Sequence, residues 1–247
     1  MGSARKADFL KRYPFAILLA ALFLLLMGSP FSGRLAREAF GLTAQASIAP
    51  LVLLLIISAG LSLWSMKHRG VTIFCGGIAL ALVFLSTIFS QDALTVAHLL
   101  AQSIFVFYVS VIVAKAVFRS PIVDGNILCG AACLYMLTGV LIGFIYCLVE
   151  FLVPGSFQVT NVDGHLSHTT LVVDPGWLVY FSFTTLTTVG LGDILPTSPV
   201  ARSFAALEAV IGQIIVVVMI ARLVGINVAQ ITSQNHGMKN RRPPSGS

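Results

Sequence analysis

Seven consecutive residues, Thr187, Thr188, Val189, Gly190, Leu191, Gly192 and Asp193, lie between two strongly apolar stretches. They offer hydroxyls, main-chain carbonyls and glycine on alternate positions. Irregular backbone at membrane depth is tolerated only where it is buried in protein or lines a water-filled path. The glycines can visit left-handed dihedrals at little steric cost, so successive carbonyls can all turn one way. Four such strands around an axis make stacked rings of oxygens, able to replace the hydration shell of a cation. This is coordination chemistry, with no nucleophile–base pair or phosphate-binding loop beside it, and it argues against an enzyme. The plain alternative is a Thr/Gly-rich loop that joins two helices.

The segment resembles the selectivity filter of pore-loop potassium channels, Thr-Val-Gly-aromatic-Gly-Asp, with Leu191 at the aromatic position. By that resemblance Thr188 (carbonyl and hydroxyl), Val189, Gly190 and Leu191 (carbonyls) form the metal site for K+, the permeant ion, and no cofactor is implied. A tyrosine at 191 can donate a hydrogen bond that braces the filter, whereas leucine can only pack. Leucine does occur there in some relatives, so potassium selectivity is still implied; the stability of the conducting state is what Leu191 bears on. The layout is similar to small bacterial channels with four leading helices and a two-helix pore, and the specific likeness covers residues 126–228. Other readings are a weakly selective cation channel and a non-conducting membrane sensor or subunit on the same fold.

Of the 247 residues 57% are hydrophobic and only 10% charged, the balance of a polytopic membrane protein. A span needs about 20 predominantly apolar residues. The expected fold is all-α: six transmembrane helices, with a re-entrant pore helix and the filter loop between helices five and six. Residues 1–119 are read as a four-helix N-terminal domain, 120–230 as the pore domain and 231–247 as a basic cytoplasmic tail. The net charge of +6 is scattered in short loops and does not indicate a nucleic-acid partner. Cys75, Cys129, Cys133 and Cys147 all lie in apolar runs and read as packing residues, a metal pair at Cys129 and Cys133 being the lesser alternative.

The N-terminal charges Arg5, Lys6, Lys11 and Arg12 precede an apolar run over residues 13–27. That pattern fits a signal peptide or a retained first helix, and without a small-residue cleavage site the retained helix is expected. A short loop with Arg34, Arg37 and Glu38 follows. Further spans are expected over residues 48–66, 71–90, 94–118 and 126–152. Placing Lys67, Arg69, Lys115, Arg119, both termini and Arg222 on one side gathers twelve of the fifteen Lys and Arg residues there. Both termini are then cytoplasmic, in what the resemblance implies is a bacterial inner membrane. The stretch 155–173 reads as a solvated turret with a hairpin turn at Asp163-Gly164; Asp163, His165 and His168 are a weaker metal candidate.

Asp174-Pro175 is a capping residue followed by proline at the first helical position, and the helix over 175–186 is too short to span. In the resembled family an aromatic residue on this helix bonds the aspartate after the filter. Tyr180 is at that place and its hydroxyl can reach Asp193; an interfacial tyrosine and a solvated aspartate are the alternative. Glu208, a carboxylate deep in the sixth span, is expected behind the filter, protonated or bonded to pore-helix hydroxyls such as Thr184 or Thr185. The sixth span is expected over 199–228. Gly212 lies where similar channels carry the glycine hinge of the inner helix, and close packing explains it equally well. Gln213, Val216, Val217 and Ile220 recur at helical spacing and are expected to line the cavity. Below them Ala221, Val224, Gly225 and Val228 are expected to form an inner gate that closes by dewetting.

Voltage-gated relatives carry an arginine ladder on helix four, but here that helix offers only His98 and Lys115, so a sensor of that type is not expected. His98 and Gln102 share a face, for interhelical hydrogen bonding or for proton sensing. The tail after Gln230 is expected to be disordered and to touch anionic lipid. No soluble ligand-binding domain is expected. Since the motif occurs once and one copy cannot encircle an ion, the expected partners are lipids and three further copies, a homotetramer.

Overall fold

A computed structural model of the protein describes residues 14–40, 53, 56, 57, 59, 69–89, 91–121, 124–160, 166–167 and 175–239. Its helices are α1 (Pro14–Phe40), α2 (Arg69–Ile88), α3 (Asp92–Arg119), α4 (Gly125–Leu152), α5 (Pro175–Leu186) and α6 (Pro199–Lys239). Three short strands, β1 (Phe157–Thr160), β2 (Leu166–Ser167) and β3 (Ile194–Pro196), form one antiparallel sheet in the order β2-β1-β3. Among the described residues, α3, α4 and residues Pro199–Ala229 of α6 are long and apolar enough to cross a membrane, and Pro14–Gly28 and Gly70–Ser86 are shorter apolar helices. Of the expected second span only Leu53, Ile56, Ile57 and Ala59 are described, and all four are helical.

Two boundaries differ from expectation. Arg34, Arg37 and Glu38 lie inside α1 rather than in a loop. Arg, Ala and Glu are strong helix formers and sustain the helix over residues 34–40; it reaches them through Gly28, Pro30 and Gly33, residues that disfavour a helix interior. Likewise α6 runs eleven residues past Val228 to Lys239, through a tail expected to be disordered. Hydropathy ends near Val228, but no proline interrupts the helix before Lys239. Residues 5–12, Lys67, His68, Asp163, His165, His168, Asp174 and the tail beyond Lys239 lie outside the described residues. Of the turret hairpin, the strands β1 and β2 are described and pair as Val159↔Ser167 and Thr160↔Leu166.

The core is organised around α4. Asp124 caps it by accepting from the Ile127 N–H at 2.9 Å, and the Asn126 side chain next to the cap accepts from the Phe15 N–H at 3.1 Å, tying down the start of α1. Gly130 makes room there: a Cβ would lie 2.8 Å from Val117 and 3.0 Å from Phe15. One helix turn is 3.6 residues, so Gly139 and Gly143 share a face of α4. A Cβ at Gly139 would meet the Phe183 ring at 3.1 Å, and one at Gly143 would lie 2.8 Å from the Val179 Cα. Small residues spaced four apart let helix backbones approach closely in apolar surroundings. This pair seats α5 directly on α4.

Candidate functional site

Residues 187–193 leave the C-terminal end of α5, and their main chain is used unevenly. The Thr187 N–H donates to the Phe183 carbonyl at 3.1 Å and the Thr188 N–H to the Thr185 carbonyl at 2.9 Å. The Val189 and Gly190 N–H groups both donate to the Thr184 carbonyl, at 2.9 and 3.1 Å. The N–H groups of four successive residues are thus turned back onto α5. Among the described residues, no hydrogen bond is donated to the carbonyl oxygens of residues 187–191. Main-chain carbonyls are obligatory acceptors, so these are open to water or to a cation.

The dihedrals explain how the chain does this. Thr188, Gly190 and Gly192 have positive φ (59°, 53° and 77°), while Val189 and Leu191 do not. In an extended strand successive carbonyls point to opposite sides; left-handed dihedrals at every second residue bring them towards the same side. A Cβ at Gly190 or Gly192 would meet nothing within 4 Å, so glycine is needed there for its dihedral and not for space. Thr188 adopts the same region with a branched side chain, a strain of about 1–3 kcal/mol that the surroundings must hold in place.

Both ends of the loop are anchored. Beyond it, β3 pairs with β1 (Phe157↔Pro196, Gln158↔Leu195, Val159↔Ile194), and Thr197 donates its N–H to the Ser156 carbonyl at 2.8 Å and its hydroxyl to the Gly155 carbonyl at 2.6 Å. Glu150, buried at the end of α4, accepts from the N–H groups of Gly155 and Phe157, both at 2.9 Å. Tyr180 donates from its hydroxyl to Asp193 Oδ2 at 2.7 Å. Tyr146, Phe157 and Phe181 form a ring triangle with all centroid separations 5.3 Å, joining α4, β1 and α5.

Glu208 is buried against α5, but its partners there are not Thr184 or Thr185. It meets the Ser182 hydroxyl at 2.5 Å and the Tyr146 phenol of α4 at 2.5 Å. The Thr184 hydroxyl instead bonds its own helix at the Phe181 carbonyl. Ser182 lies on the face of α5 turned to α4; Thr184, two residues on, is about half a turn away, whereas Thr185, three residues on, is only about 60° round the helix from it. Gly212 is a close-contact residue: a Cβ there would lie 2.6 Å from the Leu186 carbonyl oxygen, and α6 runs unbroken through it. The same carbonyl accepts from the Tyr135 hydroxyl at 2.9 Å.

On α6, Gln213, Val217, Ile220, Ala221, Val224, Gly225 and Val228 are exposed and Val216 is half-buried. Leu191 and Val189 are 64% and 60% exposed. His98 bonds the Leu94 carbonyl of its own helix at 3.3 Å rather than another helix, and Gln102 is buried with no partner among the described residues. None of the four cysteines forms a disulfide, and no His, Cys, Asp and Glu group that could hold a metal occurs among the described residues. At the other end of α6, Arg222 donates to the Ser120 carbonyl at 3.1 Å and lies 5.0 Å from the Phe118 ring centroid, meeting the end of α3.

Sequence reasoning overlooked Gly139, Gly143, Tyr135, Tyr146, Glu150 and Ser182. The paired glycines carried a signal in their spacing. Glu150 carried one too, since Pro154-Gly155 ends the helix and an acid four residues before it can reach the N–H groups of the turn that follows. No curated protein and no solved structure matches the chain. Residues 126–228, α4 to the middle of α6, match the family model described as "Ion channel", which supports an ion-channel pore module in that stretch.

Proposed function

We propose that this protein is a potassium-selective channel in which the carbonyls of Thr188, Val189, Gly190 and Leu191, with the Thr188 hydroxyl, take the place of water around K+. The observation that carries this reading is the division of the main chain. The N–H groups of residues 187–190 are held by α5, while the carbonyls of 187–191 accept no hydrogen bond among the described residues. One chain offers one column of oxygens, so a ring needs four, and the assembly is a homotetramer. The faces that meet are on α6, whose exposed residues Leu207, Val210, Ile214, Val217, Ala221, Val224, Val228 and Ile231 repeat at alternating intervals of three and four. Such a repeat is the seam of a helix bundle.

In this reading six helices span the membrane, α5 is the re-entrant pore helix and both termini are cytoplasmic. Gln213, Val216, Val217 and Ile220 line the cavity, and Ala221, Val224, Gly225 and Val228 make the apolar gate. The acidic residues Asp193 and Glu150 lie at the outer mouth. The permeant ion is K+ and no cofactor takes part.

A second reading, a weakly selective cation channel, is favoured by one observation: the Leu191 side chain is 64% exposed and cannot brace the loop by a hydrogen bond. Purified protein in liposomes under opposed K+ and Na+ gradients separates the readings. K+ flux alone is expected. Equal permeability would replace the first reading with the second, and absence of flux would leave a non-conducting membrane protein.

A further inference from the structure

Glu208 is 1% exposed and stands on α6 one turn before Gly212. Three oxygen–oxygen contacts meet around it: Tyr146 Oη with Glu208 Oε2 at 2.5 Å, Ser182 Oγ with Glu208 Oε1 at 2.5 Å, and Ser182 Oγ with the Gly139 carbonyl at 2.7 Å. A carbonyl has no proton to give; a phenol and a serine hydroxyl have one each. Were Glu208 a carboxylate, two protons would have to serve three contacts. One pair of oxygens would then face each other lone pair to lone pair in a site closed to water, which is costly. A proton on Glu208 Oε1 closes the count: the acid donates to Ser182, Ser182 donates to Gly139, and Tyr146 donates to Oε2.

The neighbouring charged and titratable groups do not change this arithmetic. From α4 the groups near Glu208 are Tyr146 and, further off, Tyr135, whose hydroxyl is committed to the Leu186 carbonyl. From α5 it is Ser182, since Tyr180 is committed to Asp193. Beside β1, Glu150 is committed to the Gly155 and Phe157 N–H groups. On α6 itself Arg202 donates to the Pro196 carbonyl and Arg222 to the Ser120 carbonyl.

We propose that Glu208 is held as the neutral acid and that its proton fastens the back of α5 to α4 and α6, so that ionising it loosens α5 and lowers the current. The control of current rests on the channel reading above; the protonation state does not. Ser182 precedes by two and three residues the Thr184 and Thr185 carbonyls that hold the N–H groups of residues 188–190. Any shift of α5 therefore reaches the coordinating loop directly. Glu208 acts through α5 and is a positioning residue.

The full-length protein in liposomes, with and without Glu208→Gln, tests this by two readouts. A glutamine can donate to Ser182 and accept from Tyr146 without a titratable proton. In infrared spectra near neutral pH, the wild type is expected to show a protonated-carboxyl carbonyl band that Glu208→Gln lacks; no such difference would overturn the proposal. On raising the pH from about 6 to about 9, K+ flux through the wild type is expected to fall roughly fivefold, the factor set by one net hydrogen bond, while Glu208→Gln stays level. Parallel pH profiles in the two proteins would overturn the control of current. Absence of flux in both, with the band present, would remove the channel reading and the control of current together, and leave the neutral acid standing.

Discussion

The back of α5 and the loop leaving its C-terminal end are adjoining regions that obey opposite rules. At the back, Ser182, Leu186 and Glu208 are at most 1% exposed, and Gly139, Gly143 and Gly212 remove side chains so that three helices meet at backbone distance. In the loop, residues 187–192 are exposed throughout, and Gly190 and Gly192 face open space. Glycine on the back means proximity; glycine in the loop means handedness. The two are linked, because the positive φ at Thr188 is a strained state that persists only where rigid surroundings over-determine it. The packed back is that support, and the loop is what it supports.

Substitutions can break or sharpen this contrast. The largest effect is expected from Gly212→Ala, whose methyl would lie 2.6 Å from the Leu186 carbonyl, a backbone atom that yields only if the end of α5 moves. Overpacking of this kind costs about 1–3 kcal/mol, so both the thermal midpoint in detergent and the K+ flux should fall. Gly143→Ala, 2.8 Å from the Val179 Cα, is expected to act in the same way and within the same range. An unchanged midpoint for either would show that the back is less tightly fitted than its geometry implies.

Gly190→Ala should separate the two regions. Its Cβ meets nothing, but an L-residue in the left-handed region costs about 1–2 kcal/mol, and the loop can escape that strain by turning its carbonyls. Flux should be lost in a protein that still folds and assembles; retained flux would count against the role of alternate handedness. Tyr180→Phe removes one hydrogen bond to Asp193 and is expected to cost about 1 kcal/mol or less, read as a few-fold decline in sustained flux. The smallest structural effect is expected from Leu191→Tyr, a substitution at an exposed position, within about 0.5 kcal/mol in stability. Its measurable change should be a longer-lived conducting state in single-channel records.

The left-handed dihedrals at Gly190 and Gly192 were legible because glycine tolerates them, whereas that at Thr188 was not, since a β-branched residue disfavours it. The bounds of α5 were legible from Pro175 at its start and the Thr/Gly-rich loop at its end. The partner of Glu208 was not. A short helix that is apolar on every side carries no phase, so nothing in the order Ser182-Phe183-Thr184-Thr185 tells which hydroxyl faces α6. The far end of α6 was misjudged for a different reason: hydropathy reports where lipid ends, whereas the helix persists as long as backbone bonding does. His98 and Gln102 share a face as their spacing implies, yet His98 turned to its own backbone, a local choice that spacing alone does not reveal.

The most direct test of the central claim is a structure of the assembled protein in a membrane mimic with thallium as a stand-in for K+. The account predicts four chains around one axis, with anomalous density between the carbonyl oxygens of residues 188–191. A monomer, or four chains whose carbonyls turn away from an axis that carries no cation density, would contradict it.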